Sequence, residues 1–142
     1  LKGFDKNGIC FISSRGPGNF DTYAIHQLEP IVILMGSKVK RLMSIGAGKY
    51  ESMVIEFEGD RRAVMTHYGW TGIDFNMTVN YEDGRTVVIP QMSNTFPTFI
   101  KEMCDFFKTG EIKAPHDETI ALMGIIEAGN KAIKTPDVWV EV

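Results

Sequence analysis

Histidine is the residue type in this chain best suited to acid–base chemistry near neutral pH. The sequence has three histidines, His26, His67 and His116. Their spacing fits no metal-binding motif such as HxxxH, and no cysteine or carboxylate cluster completes a ligand set. No GxSxG nucleophile elbow and no cysteine–histidine arrangement occurs either. Spacing alone therefore predicts neither a metal site nor a nucleophile, and each histidine taken singly is more typical of a surface or core position.

Phosphate-binding loops are the next chemistry to look for, because they would place a nucleotide in this chain. Gly46-Ala47-Gly48 is the one GxG besides the turn at Gly16. It lacks the third glycine of a dinucleotide fingerprint, and it lies between two predicted strands where that fingerprint should open a helix. We interpret it as a turn. No GxxxxGK[ST] loop is present, so no phosphate cradle of a known kind is predicted.

Composition indicates one globular domain over residues 1–142, with 44% hydrophobic and 23% charged residues. The net charge of -3 argues against a nucleic-acid partner. No apolar run approaches the roughly 20 residues that span a bilayer, so no membrane partner is expected.

Cys10 and Cys104 lie far apart and outside any CxxC motif, which predicts reduced thiols in a cytoplasmic protein. Because the chain opens at Leu1 rather than at Met, we expect a preceding segment.

The histidine with the clearest positioning element is His26, which falls in a predicted helix over 21–35. Asn19 or Asp21 is a suitable cap for its start, and Gly36 suits its end. Pro30 lies well inside the pattern and predicts a kink or a break. The apolar stripe of this helix, at steps of three and four residues, is formed by Ala24, Leu28, Ile31 and Met35.

The remaining elements are predicted strands and two further helices. A strand over 9–14 precedes the Gly-Pro-Gly turn, five strands follow the first helix, and a short strand ends the chain. The later helices cover 99–108 and 116–134. Asp117 is expected to cap the last helix, whose predicted inward side chains are Ile120, Met123, Ile126 and Ile133. The order β-α-β(5)-α-α-β predicts an α+β domain with a largely antiparallel sheet of about six strands and helices packed on one face.

Two segments carry a resemblance to a known family. The first runs from Gly16 to Gly36 and reads GPGNFDTYAIHQLEPIVILMG. The second runs from the Phe106-Phe107-Lys108-Thr109-Gly110 helix end, through Ile125-Ile126-Glu127-Ala128, to the final strand. In order and spacing these segments resemble the second domain of Gfo/Idh/MocA oxidoreductases, which include glucose–fructose oxidoreductase and inositol dehydrogenase. The resemblance implies a dihydrodipicolinate reductase-like C-terminal domain.

The resemblance implies a catalytic role for one residue and substrate binding for several others. His26 matches the family histidine that assists proton transfer from the hydroxyl being oxidised. The family aspartate lies four residues earlier, and that position is Thr22 here, while Asp21 lies one residue further away. Asp21 and Thr22 are therefore alternative candidates for substrate contact. The residues that flank the same turn are further candidates for binding sugar hydroxyls, namely Arg15, Tyr23 and Gln27.

The resemblance also implies a cofactor, a substrate class and a partner. NAD or NADP would be bound in the full-length protein, but neither GxGxxG nor the family's Glu-Lys-Pro motif occurs in this chain, so we expect these 142 residues alone to bind no cofactor and to be inactive. The substrate would be a sugar, cyclitol or related hydroxy compound. The sheet face would form a homo-oligomer, and we expect residues such as Met65, Phe75 and Met77 to need that partner.

Two alternatives stay open at this stage. One is a non-catalytic small-molecule-binding or assembly module with the same fold, suggested by Thr22 and by the lack of cofactor motifs. The other is a self-contained enzyme with a curved sheet, which predicts a deep pocket inside this chain. The patch His67-Tyr68-Gly69-Trp70 is a further candidate surface, since its aromatic rings could stack on a sugar or could serve as core anchors.

Overall fold

The computed structural model describes residues 3–46, 48–92 and 95–142, which form an α+β domain. One mixed sheet of seven strands carries the helices, and two of the three α-helices, α1 and α3, pack against the same face of it. The elements in chain order are β1 (Ile9–Gly16), α1 (Phe20–Met35), β2 (Val39–Ser44), β3 (Glu51–Phe57), β4 (Arg62–His67), β5 (Asn76–Tyr81), β6 (Thr86–Ile89), α2 (Thr95–Thr109), α3 (His116–Ala132) and β7 (Val140–Glu141).

The strand order is β6-β5-β1-β4-β3-β2-β7, and β1 and β4 form a parallel pair while the other neighbours are antiparallel. The prediction of about six largely antiparallel strands was therefore wrong in the number of strands and in this one pairing. The reason is topological. Helix α1 carries the chain across the sheet, and the β2-β3-β4 meander then returns an odd number of strands, so β4 arrives beside β1 in the same direction.

Helix α1 confirms the predicted apolar stripe, since Ala24, Leu28, Ile31 and Met35 are all buried against the sheet. Asn19 is the N-cap, and its side chain accepts a hydrogen bond from the Thr22 backbone N–H at 3.2 Å. Gly36 ends the helix at φ 87°, a conformation that favours glycine. The helix continues through Pro30, so the expected break does not occur.

Helix α3 packs through part of its predicted stripe, since Ile126 and Ile133 are half-buried against the core. Ile120 and Met123 are 72% and 57% exposed, so the expectation that they point inward was wrong. Asp117 does not cap the helix, because the N-cap is Pro115 and the Asp117 carboxylate accepts a hydrogen bond from the Ser37 hydroxyl at 2.7 Å. Small residues allow α3 to approach the neighbouring elements closely, and its buried side is formed by Ile125, Ala128, Gly129 and Ala132.

The sheet face opposite α1 and α3, here called the open face, is not the one that was expected. Met65 and Met77 are completely buried under the helices, so the expectation that they face a partner was wrong. Successive residues of a strand point to opposite faces of the sheet, and their neighbours in sequence, not they, point to the open face. The open face has a buried carboxylate instead. Glu56 is 6% exposed and lies between Arg41 at 3.2 Å and Arg62 at 3.4 Å. The hydrogen bond from Arg41 lowers the pKa of the Glu56 carboxyl.

Helix α2 begins earlier than predicted and presents an uncovered apolar side. Its apolar residues recur at helical spacing, so they share one side of the helix, and polar and charged residues occupy the other side. These aromatic and methionine side chains are between 38% and 77% exposed, and we call them the aromatic face of α2: Phe96, Phe99, Met103, Phe106 and Phe107. The two cysteines are free, with Cys10 half-buried and Cys104 exposed on this helix.

Gly129 gives a test of the helix packing. A Cβ built at this position would lie 2.1 Å from the Phe20 ring. Replacing a helical glycine by alanine ordinarily stabilises a helix by about 1 kcal/mol, but overpacking costs about 1–3 kcal/mol. We therefore expect Gly129→Ala to lower the free energy of unfolding, measured by urea denaturation. Gly124→Ala is the matched control, because its nearest neighbour is the side chain of the terminal Val142 at 3.1 Å, which can move.

Candidate functional site

The candidate site lies where the parallel strands β1 and β4 end side by side. In their register Gly16 pairs with His67, the last residue of each strand. The two chain segments that leave these strands are tied together by paired hydrogen bonds between Gly18 and Gly69, each with an N–O distance of 2.9 Å. A third bond joins the Tyr68 N–H to the Gly16 carbonyl at 3.0 Å. The loop before α1 and the loop after β4 therefore form one fixed unit.

Glycine is required in this loop because aromatic rings lie directly against its backbone. A Cβ on Gly16 would lie 2.4 Å from the Phe75 ring, and a Cβ on Gly18 would lie 2.6 Å from the Tyr23 ring. Gly18 also has φ 77°, which disfavours other residues. The Gly-Pro-Gly motif therefore creates space for rings as well as making a turn.

Four ring-bearing residues form what we call the aromatic cluster: Tyr23, His26, Trp70 and Phe75. Tyr23 is the central member, with its ring centroid 4.6 Å from Trp70 and 5.1 Å from His26, both in edge-to-face geometry. Phe75 stacks parallel to Tyr23 at 6.2 Å and lies 5.6 Å from the His26 ring. His26 and Trp70 are exposed while Tyr23 and Phe75 are half-buried. The cluster is thus a surface of rings, open on the side of the imidazole.

Gln27 lies beneath the cluster and is completely buried. Its side-chain oxygen accepts a hydrogen bond from the Ser14 hydroxyl at 2.8 Å, and its amide nitrogen donates to the Thr66 carbonyl at 3.2 Å. Both ends of the amide are therefore bonded to the ends of β1 and β4. The structure thus assigns Gln27 to holding α1 on the parallel pair, in place of the predicted contact with a sugar hydroxyl.

Two residues of the sheet hold the first turn of α1. The Glu51 carboxylate accepts a hydrogen bond from the Phe20 N–H at 2.5 Å, which suits the positive end of a helix. His67, the cross-strand neighbour of Glu51, is 2% exposed, and its ring lies edge-on to Phe20 at 6.1 Å. Burial lowers the pKa of His67, partly offset by the Glu51 carboxylate and by a hydrogen bond to the Tyr23 backbone. Its Nε2 has no hydrogen-bond partner among the described residues.

Asp21 and Thr22, the two candidates for the family aspartate, precede His26 by five and four residues in the same helix. The hydroxyl of Thr22 donates to the Asn19 side chain and is used in the helix cap. Asp21 is exposed in the first turn. Five residues of α-helix turn the chain through about 140° relative to the starting position, so Asp21 projects from a different side of α1 than His26. Neither residue presents a carboxylate on the His26 side of the helix.

Arg15 is separated from the other candidates by the sheet itself. Along β1 the buried and exposed residues alternate, with Gly16 buried on the helix side and Arg15 exposed on the open face. Its register partners there are Thr66 and Asn76. The structure therefore brings Tyr23 and His26 together with Trp70, and does not bring Arg15 to them.

Sequence reasoning did not assign Phe75 and Glu51 to the site. Phe75 was expected at an interface with a partner, but it lies in the loop before β5 and contacts His26. Glu51 begins β3, more than thirty residues after the loop that it supports. No local spacing links either residue to His26, because both contacts arise from the strand order. Their only sequence signal is the pair of glycines that leave room for rings.

A groove on the surface lies away from the aromatic cluster. This groove of about 960 Å³ lies between α1, α3 and the segment joining α2 to α3, and its lining includes Phe4, Ile25 and Met123 but no member of the aromatic cluster. The described residues contain no group of histidine, cysteine or carboxylate side chains that could hold a metal ion. No helix within 3–46, 48–92 or 95–142 is both long and apolar enough to cross a membrane.

Comparisons with known proteins identify the fold. No family profile matches the sequence, and no curated protein matches it. Among solved structures, the scyllo-inositol dehydrogenase of Lactobacillus casei with bound NAD(H) and scyllo-inositol matches with a TM-score of 0.72 at 13% identity, over 95% of this chain and 57% of its own. The WlbA dehydrogenase of Bordetella pertussis, in complex with NADH and UDP-GlcNAcA, matches with a TM-score of 0.69 at 9% identity, over 96% and 55%.

The chain shares the fold of these dehydrogenase structures. A third match agrees, the NAD-binding protein of Listeria innocua, with a TM-score of 0.62 at 14% identity over 94% of this chain and 55% of that one. The chain spans a little over half the length of these structures, 55% to 57%. The resemblance to Gfo/Idh/MocA oxidoreductases is thereby confirmed at the level of the fold.

The buried imidazole of His67 predicts a pH-dependent stability. Burial lowers its pKa below the ordinary 6.5, so the unfolded chain takes up the proton first as the pH falls. Stability should therefore be full above about pH 6.5 and decrease as the pH falls towards the lower pKa of the folded state. His67→Gln removes this titration.

The measurement is the free energy of urea unfolding between about pH 7.5 and pH 5. In this range His67 takes up a proton in the wild type, and His67→Gln has no such group. We expect the wild type to lose more stability than His67→Gln over this range. His116→Gln, which alters an exposed histidine, serves as the control and should follow the wild type. Parallel curves for the wild type and His67→Gln would contradict the assignment.

Proposed function

We propose that this chain is the C-terminal substrate-binding and oligomerisation domain of an NAD(P)-dependent oxidoreductase that acts on a sugar, a cyclitol or a related hydroxy compound. The observation that carries the proposal is the exposed His26 imidazole within a fixed aromatic cluster, at the carboxyl ends of the parallel pair. The fold of dehydrogenases that bind scyllo-inositol or a nucleotide sugar supports the substrate class.

His26 is the group proposed to accept the proton of the hydroxyl that is oxidised. Its neighbours Tyr23 and Phe75 fix the ring by edge contacts, and its exposed side leaves it free to reach a substrate. When bound, the NAD-type cofactor supplies the hydride acceptor. A positioned general base of this kind contributes roughly 10²–10⁴-fold to the rate.

The proton path proposed here differs from an aspartate–histidine relay. Thr22 occupies the matching position, and its hydroxyl is used in the Asn19 cap. Asp21 projects from another side of α1. We therefore propose that His26 passes its proton to solvent or to a second residue of the substrate site, without a carboxylate of this helix as an intermediate.

The described residues fit an NAD-type cofactor only in part. The aromatic cluster is open on the side of His26 and Trp70, so a nicotinamide ring held by another domain could approach it. No dinucleotide fingerprint occurs in the sequence, and we propose that a separate cofactor domain holds the phosphates. By this proposal residues 1–142 are one domain of a longer protein and have no turnover alone, because hydride transfer needs the cofactor and the substrate held together.

Two uncovered surfaces support the proposal of a second domain. The aromatic face of α2 is exposed along its length, and the groove between α1 and α3 is lined by apolar side chains together with glutamate and lysine residues. Contiguous exposed apolar surface of this kind is typical of an interaction site. We propose that both surfaces contact the cofactor domain.

The catalytic proposal is tested with the complete protein on a panel of polyols and sugars, with NAD and with NADP. We expect His26→Ala to lower kcat by roughly a hundredfold or more, with a smaller change in KM. His116→Ala is the matched control, since it removes an exposed histidine at the start of α3, and should retain wild-type kinetics.

Unchanged turnover in His26→Ala would refute the role of His26. Binding of a polyol without any turnover by the wild-type protein, in the presence of either cofactor, would favour the alternative of a non-catalytic binding or assembly module. Turnover by residues 1–142 alone would contradict the need for a cofactor domain.

The open face is proposed to form the homo-oligomer. Its central strands present half-buried Val54 and Val64 and exposed Phe11, and neither α1 nor α3 lies over them. The flanking Arg41–Glu56–Arg62 group pairs one carboxylate with two guanidinium groups and keeps a net positive charge, so we propose that the apolar residues of this face, and not this group, are removed from water in the interface.

We expect the wild-type protein to sediment as a dimer or tetramer and Val64→Asp to sediment as a monomer, because a carboxylate would be buried without a partner at the centre of the interface. Circular dichroism checks that the variant is folded. Ile120→Asp, on the exposed side of α3, is the control and should keep the oligomer. A monomeric wild type, or an oligomeric Val64→Asp, would refute the interface.

A further inference from the structure

Trp70 combines exposure with a fixed orientation. The residue is 71% exposed, so it contributes little to the core. Its backbone nevertheless follows Gly69, which is held by the paired bonds to Gly18, and its ring is held edge-to-face against Tyr23 at 4.6 Å. A large apolar ring that is held in place and left open to water is typical of a binding surface.

The other tryptophan of the chain shows the contrast. Trp139 is half-buried near the opposite edge of the sheet, and the guanidinium of Arg41 lies over its ring at 4.4 Å. Its ring face is therefore already used by a protein group. Trp70 contacts Tyr23 in edge-to-face geometry, and most of its surface stays open to water.

Trp70 and His26 line one continuous surface, because Tyr23 contacts both rings. This surface is aromatic along its length, with the imidazole of His26 and the indole of Trp70 as its exposed members. A ligand that contacts Trp70 through a flat apolar face would direct the polar groups at its rim towards the imidazole of His26.

We infer that Trp70 is a specificity-determining residue that stacks on the C–H face of a saturated six-membered ring, and that it thereby selects cyclitols and pyranoses over open-chain polyols. This inference rests on the proposed function and deepens it. In such a ring the equatorial hydroxyls project outward and the two faces carry C–H groups. An electron-rich indole face attracts these weakly positive hydrogens and shields them from water.

An open-chain polyol offers the same hydroxyls without the flat face. It also has several freely rotating bonds, which must be ordered on binding at a cost in free energy. Hydroxyl contacts at His26 are available to both kinds of substrate, so they do not distinguish them. The distinction should therefore depend on Trp70.

The test is the ratio of kcat/KM for cyclic substrates (scyllo-inositol and glucose) to kcat/KM for open-chain substrates (sorbitol and mannitol), measured with the complete protein. We expect Trp70→Ala to lower kcat/KM for the better cyclic substrate by roughly tenfold and to leave the open-chain values nearly unchanged. Trp70→Phe should retain part of the preference. Trp139→Ala, the matched control, should leave the ratio unchanged even if total activity falls.

A second measurement does not depend on turnover. The chain has two tryptophans, so in Trp139→Phe the indole fluorescence comes from Trp70 alone within these residues. We expect scyllo-inositol or glucose, and not sorbitol, to change that emission on titration. No change with either ring compound would overturn the inference.

The outcomes separate this inference from the proposed function. If the wild-type protein oxidises no polyol or sugar with either cofactor, the proposed function fails. If it does so and Trp70→Ala leaves the ratio of cyclic to open-chain kcat/KM unchanged, the inference alone fails. A rise in the KM for NAD or NADP in Trp70→Ala at an unchanged ratio would also overturn it, because the ring would then serve the cofactor.

Discussion

The parallel pairing of β1 and β4 is the constraint on which the candidate site depends. It places Gly16 beside His67 at the ends of both strands, so the loops that leave them meet and bond through Gly18 and Gly69. In an antiparallel pair the two loops would leave at opposite ends of the strands. The contacts of Tyr23 and His26 with Trp70 and Phe75 follow from this meeting, because Tyr23 and His26 come from the helix after one strand and the two other rings come from the segment after the other.

The first turn of α1 is held by groups from three parts of the chain. Asn19 caps it, Glu51 accepts the Phe20 N–H, and the buried His67 contacts it from the sheet, while Gln27 bonds the next turn to both parallel strands. The buried imidazole and the completely buried amide are expensive to desolvate. Their presence here indicates that the orientation of this helix matters more than the stability that apolar residues would contribute.

The same fold leaves three surfaces without a partner: the open face, the aromatic face of α2 and the groove between α1 and α3. A sheet covered by helices on one side can keep its other face in water, but apolar residues on that face, such as Phe11 and Val64, also suit contact with a partner. Under the function proposed above, the open face would contact a second subunit, and the aromatic face of α2 and the groove would contact the cofactor domain. The domain would then supply a substrate surface and contacts, and its chemistry would require a cofactor held elsewhere.

The α+β class, the stripe of α1, the glycine turn before it and the position of His26 were all determined by the sequence alone, because helical periodicity and capping are local properties. The parallel pair, the burial of Met65 and Met77 and the exposed Ile120 were decided by tertiary structure, because each depends on which elements become neighbours. The placement of Phe75 and Trp70 beside His26 and of Arg15 on the opposite side of the sheet has the same origin. A strand alternates its two faces at every residue, so a side chain's surroundings follow from strand order and register, which no local pattern in this chain encodes.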